Sequence, residues 1–330
     1  MIRCALALFA VGLSLGLCLG QQPPAKPGSI NCEECPYPFP SSYFSLTLYG
    51  ETVRMAYMDV APEGPANGHT VVLLHGNNFA GFYFGSVIQA LRQAGFRVIV
   101  PDQIGYGRSS KPVIPYYFAD MARNTRVLLQ SLGVQKAMVV GHSMGGMLAA
   151  RFATQYPAAI ERLVLYNPIG LTDNRFLGPP VDFEVAYKRN LTSSYDAIRA
   201  NLMRYVMHKP SAWNAEFESY ARIRHSWTLS VDWPRLARVQ TLLSNLINLD
   251  PVVYDWSHID APTLVFGGAE DMLPGTAAAF QTGMKRIAAA IPEGKGRLLL
   301  LPGLGHVPFV EDPQRAMPPL IAFLREGVVK

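Results

Sequence analysis

Charged residues and metal-ligand motifs are scarce in this sequence, and their scarcity excludes several classes of protein. Asp, Glu, Lys and Arg make up only 16% of the 330 residues, and the basic residues are scattered rather than grouped into a stripe. A nucleic-acid partner is therefore not expected. The histidines and carboxylates show no H-E-x-x-H or comparable ligand spacing, so we expect neither a metal nor an organic cofactor.

The sequence also has little that would keep it unfolded. Hydrophobic residues reach 49%, which is enough to bury a substantial core. Only residues 21–42 look irregular, because Pro and Gln there predict an extended lead-in before the folded domain. A chain of this length accommodates one large α/β domain with an insertion, so two unrelated domains are not required.

The first twenty residues form a short apolar segment. Arg3 precedes a nearly unbroken apolar stretch over residues 4–19. This pattern predicts a signal peptide over residues 1–20, and hence a secreted or periplasmic protein with no stable membrane insertion after its removal. A membrane anchor is disfavoured by the Gly and Ser residues within the stretch. Lipid attachment at Cys18 is a further alternative, which the bulky Leu17 before it disfavours.

Cysteine is rare, and only Cys32 and Cys35 remain once the signal peptide is removed. In an exported protein we expect the two to form a disulfide. A redox-active pair and half of a metal site are the alternatives. No helix pattern follows the pair and no second cysteine pair completes a tetrahedral site, so a structural disulfide is favoured.

Short apolar runs alternate with helix-period segments along most of the chain. A hairpin is predicted over residues 43–49 and 53–60. The later apolar runs cover residues 71–75, 97–102, 137–143, 162–168, 263–268 and 297–303. Runs that are apolar on both faces and separated by helices predict a mostly parallel sheet covered on both sides.

The alternation of apolar runs and helix-period segments stops over residues 170–257. This stretch contains helix-like segments near 181–207 and 211–247 and no convincing buried strand. We therefore predict a core over residues 43–169 and 258–330, interrupted by a helical insertion.

The most informative motif is G-x-S-x-G at residues 141–145, between a strand and a helix. In this context the tight turn lifts Ser143 above the sheet edge, and Gly141 and Gly145 stand where a Cβ would collide with neighbouring backbone. The helix N-terminus also favours developing negative charge. Ser143 is therefore the predicted nucleophile; an idle serine in a Gly-rich turn is the alternative.

A second motif, His75-Gly76-Asn77-Asn78, directly follows the first parallel strand. The backbone N–H of Asn77 is predicted to pair with that of Met144 as an oxyanion hole, although Asn78 could supply the first donor instead. His75 is expected to brace the loop rather than act as a base.

These motifs resemble the α/β-hydrolase family, particularly its capped members such as small esterases and carbon–carbon bond hydrolases. The resemblance covers about residues 43–327 and includes residues 101–109, similar to the family's D-x-x-G-x-G-x-S loop. It implies an eight-stranded-type, mostly parallel sheet with helices on both faces and a helical cap over residues 170–257. It also implies that Asp102 in that loop is structural.

The family order of nucleophile, acid and histidine identifies the remaining catalytic candidates. Asp271 ends a stretch similar to the family's G-x-x-D acid loop, with Glu270 as the alternative acid. His306 follows the last strand, where the family places its base. A serine hydroxyl needs such a base to remove its proton, and the base needs an acid to orient it.

The cap is expected to roof the pocket and shape its specificity. Asn78, Tyr187 and Trp227 are predicted to contact substrate. Tyr187 and Trp227 come from a set of five aromatic residues in the cap, of which we expect fewer than half to face the pocket. The five are Tyr187, Tyr205, Trp213, Trp227 and Trp233.

The leading hypothesis is a carboxylic-ester hydrolase that acts on small to medium acyl or aryl esters. Carbon–carbon bond hydrolysis or acyl transfer with the same triad is the first alternative, and a non-catalytic hydrolase-like binding protein is the second. Dehalogenases and epoxide hydrolases are disfavoured because those relatives carry Asp in place of Ser143. The sequence makes no prediction of oligomeric state.

Overall fold

The computed structural model describes residues 26–179 and 181–327, and the predicted signal peptide lies outside them. Eight strands form one sheet in the order β1-β2-β4-β3-β5-β6-β7-β8. The strands are β1 (Ser42–Leu48), β2 (Glu51–Val60), β3 (Thr70–Leu74), β4 (Arg97–Pro101), β5 (Ala137–His142), β6 (Ile160–Tyr166), β7 (Thr263–Gly268) and β8 (Gly296–Leu301). β2 pairs antiparallel with β1 and β4, and the other pairs are parallel, so the predicted mostly parallel sheet is confirmed.

Helices cover both faces of this sheet. They are α1 (Gly85–Gln93), α2 (Phe118–Ser131), α3 (Met144–Gln155), α4 (Phe183–Leu191), α5 (Tyr195–Met203), α6 (Ala215–Thr228), α7 (Trp233–Leu249), α8 (Ala277–Ala290), α9 (Pro308–Glu311) and α10 (Pro313–Arg325). Successive side chains of a strand point to opposite faces. Val71 and Leu73 therefore pack into one apolar cluster, and Val72 and Leu74 into the other.

The segment between β6 and β7 is helical, but it differs in detail from the two long helical segments that its sequence predicts. It contains four main helices, α4 to α7. Ser194 begins α5 by accepting from the N–H of Ala197 at 3.2 Å, and Asn214 begins α6 by accepting from the N–H of Phe217 at 3.0 Å. Such side-chain caps satisfy backbone donors that have no partner within a helix, so they start new helices.

The lead-in before β1 packs against both the sheet and the helical segment, although its sequence predicts only an extended segment before the folded domain. Cys32 and Cys35 are joined by a disulfide within it. The Gly28 N–H donates to the Ser226 carbonyl of α6 at 2.9 Å. The Tyr37 hydroxyl donates to Asp102 after β4. The lead-in thus ties the helical segment to the core.

Asp102 has a structural role in this arrangement. Its carboxylate accepts from the N–H of Gly81 at 2.7 Å and from that of Arg108 at 2.9 Å, in addition to the Tyr37 hydroxyl.

Within residues 26–179 and 181–327, no helix has the length and apolar character needed to cross a bilayer.

Candidate active site

The turn between β5 and α3 holds its serine in a strained backbone conformation. Ser143 has φ of 59° and ψ of −120°, a region that costs a non-glycine residue of order 1–3 kcal/mol and that is typical of functional sites. A Cβ on Gly141 would collide with the backbone of Gly145, and a Cβ on Gly145 with the carbonyl of Leu74. The two glycines therefore allow the turn to fit against β3.

Three side chains from distant parts of the chain form one hydrogen-bonded series. The Ser143 Oγ lies 2.9 Å from the His306 Nε2, and the His306 Nδ1 lies 2.6 Å from the Asp271 Oδ2. The three residues are only 5%, 1% and 1% exposed in the order Ser143, Asp271, His306. Because Nδ1–H donates to the carboxylate, Nε2 is left to accept the serine proton.

The surroundings of Asp271 keep its carboxylate ionised. The Asn167 side-chain amide donates to Oδ2 at 2.9 Å, and the Leu273 N–H donates to Oδ1 at 2.9 Å. Burial raises the pKa of Asp271, but the charge and hydrogen bond of His306, with the two donors, outweigh burial and hold that pKa below its ordinary value. Glu270, the alternative acid, makes no hydrogen bond to His306 among the described residues.

The loop after β3 lies directly against Ser143. A Cβ on Gly76 would come within 2.9 Å of the Ser143 Cβ, so only glycine fits there without displacement. The backbone N–H groups of Asn77 and Met144 have no acceptor within the described part of the chain. Met144 is the first residue of α3, where the helix dipole adds partial positive charge. Two unpaired donors therefore stand beside Ser143.

His75 braces this loop. Its Nε2 accepts from the Gln103 N–H at 3.0 Å, and its Nδ1–H donates to the Gly76 carbonyl at 2.9 Å. Burial lowers the pKa of His75, which keeps the ring neutral. Both ring nitrogens are occupied, so His75 is not available as a base.

His142 supports the backbone of His306. Its Nε2–H donates to the His306 carbonyl at 2.8 Å, and its Nδ1 accepts from the Tyr83 hydroxyl at 2.8 Å. Burial, with the charge of His306, lowers the pKa of His142 to about 3, so this ring stays neutral. No local sequence motif joins His142 to Tyr83 or to His306, because the partners lie on separate elements.

Glu311 at the end of α9 holds the loop that carries His306. Its carboxylate accepts from the N–H of Gly305 at 3.0 Å and from that of Val307 at 3.2 Å. The His208 Nε2 of the helical segment lies 3.4 Å away. Burial raises the pKa of Glu311 to about 7. Sequence reasoning missed this residue, whose only signal is an acidic residue five positions after His306.

Tyr205 is the helical-segment aromatic that contacts the triad. Its ring centroid lies 4.9 Å from that of His306, and its carbonyl accepts from the His306 N–H at 3.1 Å. Its hydroxyl accepts from the Asn78 side-chain amide at 2.9 Å. Asn78 therefore joins the loop after β3 to the helical segment.

The other predicted cap aromatics take different positions. Trp227 lines a cavity beside Asn77 and Asn78. Tyr187, which is also predicted to contact substrate, is not among the residues that line that cavity; its ring packs between Phe183 and the Arg238 guanidinium.

Trp213 and Trp233 also point elsewhere. The Trp213 indole donates to Glu218 at 3.3 Å, and the Trp233 indole donates to the Leu191 carbonyl at 3.0 Å. Both indole N–H groups are thus used to hold the helical segment together.

Two spaces lie at the loops that follow β3, β6 and β7. We name the first the cap cavity; it has a volume of about 60 Å³ and is lined by Ile30, Asn77, Asn78, Phe79, Gly105, Tyr106, Gly107, Lys111, Asn190, Arg224, Trp227, Leu236, Gln240 and Ser244. We name the second the acid-side groove; it is open, measures about 740 Å³ and is lined by Ile169, Gly170, Leu171, Thr172, Asn174, Leu177, Ile247, Leu273, Pro274, Ala278, Ala279, Thr282, Gly283 and Arg286. One residue that lines the groove, Ile169, donates its N–H to the backbone carbonyl of Ser143 at 3.2 Å, and another, Leu273, donates its N–H to Asp271.

Comparison with known proteins agrees with this fold. Residues 71–317 match the model of the alpha/beta hydrolase family. A crystal structure of a probable hydrolytic enzyme from Pseudomonas aeruginosa PAO1 is 36% identical, with a TM-score of 0.84, over 91% of this chain and 99% of that one.

Two curated proteins illustrate the range of similar activities. A putative carbamate hydrolase of Pantoea ananatis is 28% identical over 82% of this chain and 93% of its own length. A 2-hydroxy-6-oxononadienedioate/2-hydroxy-6-oxononatrienedioate hydrolase of Paraburkholderia phymatum is 37% identical over 38% of this chain and 43% of its own length. The chain spans only 32–43% of the length of the curated relatives that it matches at 37–38% identity.

Proposed function

Because the chain belongs to the alpha/beta hydrolase family and is a hydrolase, we propose that it cleaves carboxylic esters of small to medium acyl or aryl groups through an acyl-enzyme on Ser143. The observation that carries the proposal is the series Ser143–His306–Asp271, with hydrogen bonds of 2.9 and 2.6 Å. The apolar acid-side groove, whose lining residues Ile169 and Leu273 bond to Ser143 and Asp271, supports an acyl or aryl group of modest size.

Acylation begins when the Ser143 Oγ attacks the ester carbonyl carbon while the His306 Nε2 takes the hydroxyl proton. The carbonyl oxygen becomes an oxyanion that accepts from the N–H groups of Asn77 and Met144. Donors of this kind each contribute about 3–4 kcal/mol in comparable sites. Collapse of the intermediate breaks the bond to the alcohol oxygen, which leaves with the proton from His306.

Deacylation repeats the sequence with water. The His306 Nε2 takes one proton from the water as its oxygen attacks the acyl carbon, and the Ser143 Oγ leaves and recovers that proton. The ionised carboxylate of Asp271 stabilises the imidazolium form of His306 in both halves.

The test combines labelling with turnover. A fluorophosphonate probe should modify Ser143, as read by mass spectrometry of the peptide, and short p-nitrophenyl esters should be hydrolysed above background. The Ser143→Ala protein is the matched control and should do neither. Unmodified Ser143 in a folded protein, together with background ester rates, would exclude the proposed mechanism.

Carbon–carbon bond hydrolysis is the second candidate, favoured by the similarity to the Paraburkholderia phymatum protein. The same triad can serve that reaction. Following the absorbance of a dienol ring-fission product beside a p-nitrophenyl ester separates the two activities. Cleavage of the first with background rates on the second would replace esterase by carbon–carbon hydrolase.

We further propose that the enzyme acts outside the cytoplasm. The signal pattern over residues 1–20 and the Cys32–Cys35 disulfide support export, because disulfides persist in oxidising compartments. Fractionation of a native host followed by N-terminal sequencing tests this. A cytoplasmic protein that retains residue 1 would contradict it.

A further inference from the structure

The cap cavity holds two buried donors that have no partner. The Arg224 Nη1 and the Trp227 Nε1 are both inaccessible to solvent and make no hydrogen bond to any described residue. Both residues line the cavity and both lie on α6. A buried donor without an acceptor is costly, and a buried charge without a counterion is more so.

The lining of the cap cavity offers that guanidinium no counterion. It contains no Asp, Glu or His among its residues, and no described carboxylate lies within salt-bridge distance of Arg224. Its polar lining is otherwise neutral, apart from the ammonium of Lys111. That ammonium already donates to the carbonyls of Gly107 and Ser109, at 2.6 and 2.5 Å. Arg224 is therefore the charged residue of the lining that still has an unpaired hydrogen-bond donor.

The cavity also adjoins the reacting centre. Asn77 and Asn78 of the loop after β3 form part of its wall. The Tyr106 hydroxyl in the same wall donates to the Asn77 Oδ1 at 2.9 Å and lies 3.1 Å from the Sδ of Met144, the residue after the nucleophile. A group bound there would belong to the same small molecule as an ester held at Ser143.

We propose that the cap cavity is a subsite for a carboxylate of the substrate, with the Arg224 guanidinium as its ligand and the Trp227 indole N–H as an additional donor. The physiological substrate is then a small ester that carries a free carboxylate. This deepens the proposed ester hydrolysis and rests on it. An Arg–carboxylate pair is short and charge-assisted, and often bidentate, so it fixes the position of the ester as well as its charge.

The volume of about 60 Å³ limits what the subsite holds. At roughly 10–15 Å³ for each water-sized probe sphere, it has room for about four to six such spheres. A carboxylate on a link of a few carbons fits this size, whereas a second aromatic ring does not. The larger apolar part of the substrate is left to the acid-side groove.

The experiment compares charged and neutral esters of matched shape. Monomethyl glutarate beside methyl pentanoate places the carboxylate on the acyl half, and 4-acetoxybenzoate beside p-tolyl acetate places it on the alcohol half. For at least one pair, kcat/KM of the native protein should favour the charged ester. Arg224→Met should reduce that preference by about 10- to 100-fold, and Arg224→Lys should restore part of it.

Arg222→Met is the matched control. It removes the same charge from the same helix, but Arg222 is exposed and pairs with Glu218 at 2.8 Å outside the cavity. The preference for the charged ester should therefore persist in this variant. Equal loss in both arginine variants would assign the effect to long-range charge and overturn the subsite.

Binding supplies a readout that is independent of turnover. By calorimetry, glutarate or 4-hydroxybenzoate should bind the Ser143→Ala protein, and addition of Arg224→Met should weaken this binding by at least about 10-fold. Equal kcat/KM for charged and neutral esters in native and Arg224→Met proteins would overturn the subsite while ester hydrolysis stands. Failure of every ester, with Ser143 unlabelled by fluorophosphonate, would instead overturn the proposed function.

Discussion

The triad and the cap cavity differ in how completely their polar groups are paired. Around the triad, the serine, histidine and aspartate form one hydrogen-bonded series, and Asn167 and the Leu273 N–H complete it. In the cap cavity, Arg224 and Trp227 keep donors without acceptors. A paired network is built to hold a geometry. An unpaired one gains its partner only when a ligand arrives, so the two regions should respond oppositely to substitution.

The largest effect is expected at Ser143, where activity and backbone strain can be separated. Ser143→Ala should lower kcat by about 10⁶-fold, because the nucleophile is lost. Ser143→Gly should be equally inactive, yet raise the free energy of unfolding by about 1 kcal/mol relative to Ser143→Ala, because glycine tolerates φ of 59°. Urea denaturation of the two variants tests this. Equal stabilities would mean that the turn stores no strain.

Asp271→Asn should lower kcat/KM by about 10⁴-fold. The amide cannot stabilise the imidazolium, and its NH₂ group would compete with the Asn167 amide for acceptors. The pH dependence of stability should change too. Since the native pKa of Asp271 is depressed, its stabilising contribution is present above the ordinary carboxyl pKa of 3.8 and is lost as pH falls through the native value.

Acid denaturation followed by circular dichroism reads this out. The native protein should lose more stability than Asp271→Asn as the pH falls below about 4. Parallel acid-denaturation curves would show that ionisation of the Asp271 carboxylate does not stabilise the native protein.

Glu311→Gln should have a smaller effect on rate, about 10-fold in kcat, because an amide retains one acceptor for the N–H groups of Gly305 and Val307. The contribution of Glu311 to stability changes with pH in the direction opposite to that of Asp271. Burial raises the pKa of Glu311 from 4.5 to about 7, so its stabilising contribution is full below 4.5 and is lost as pH rises through about 7. The native protein should lose up to about 3 kcal/mol relative to Glu311→Gln across that interval.

Unfolding free energies of the two proteins at a series of pH values measure this difference. Glu311→Ala, which lacks any acceptor, is the companion variant and should be slower than Glu311→Gln. A constant difference between the native and glutamine proteins from pH 4 to 8 would contradict the raised pKa.

What the sequence predicts well is the part of the site whose geometry is local. Ser143 lies in a five-residue turn with glycines at fixed positions, Asp271 follows the buried strand β7, and His306 follows the apolar edge strand β8. Parallel strands deliver the residues after their ends to one edge of the sheet, and the family's order of nucleophile, acid and histidine identifies Asp271 and His306 among those residues. The mostly parallel sheet follows from the alternating apolar runs.

The sequence does not reveal partners that meet only through packing. Asn167 and Glu311 contact the triad and its loop from other elements, and neither belongs to a motif that distinguishes it from an ordinary surface residue. The helical segment is harder still. Tyr187 is an aromatic residue of the kind predicted to contact substrate, but its ring contacts Phe183 of the same helix and Arg238 of α7. Apolar periodicity alone does not determine which neighbour an exposed helix face will meet.

The smallest predicted effect bears most directly on the contrast between the two regions. Arg224→Met should raise the free energy of unfolding by about 1 kcal/mol, because the substitution removes a buried charge that lacks a counterion while a methionine keeps much of the apolar stem. Arg222→Met should lower it by about 0.3–0.5 kcal/mol, the usual worth of an exposed helix ion pair such as its contact with Glu218. Adding glutarate should reverse the order, since a ligand that binds only the native state stabilises the protein that retains its arginine. If Arg224→Met were less stable than the native protein without any ligand, the guanidinium would be part of the packing of the helical segment. The cavity would then resemble the triad, whose three side chains are already hydrogen-bonded to one another.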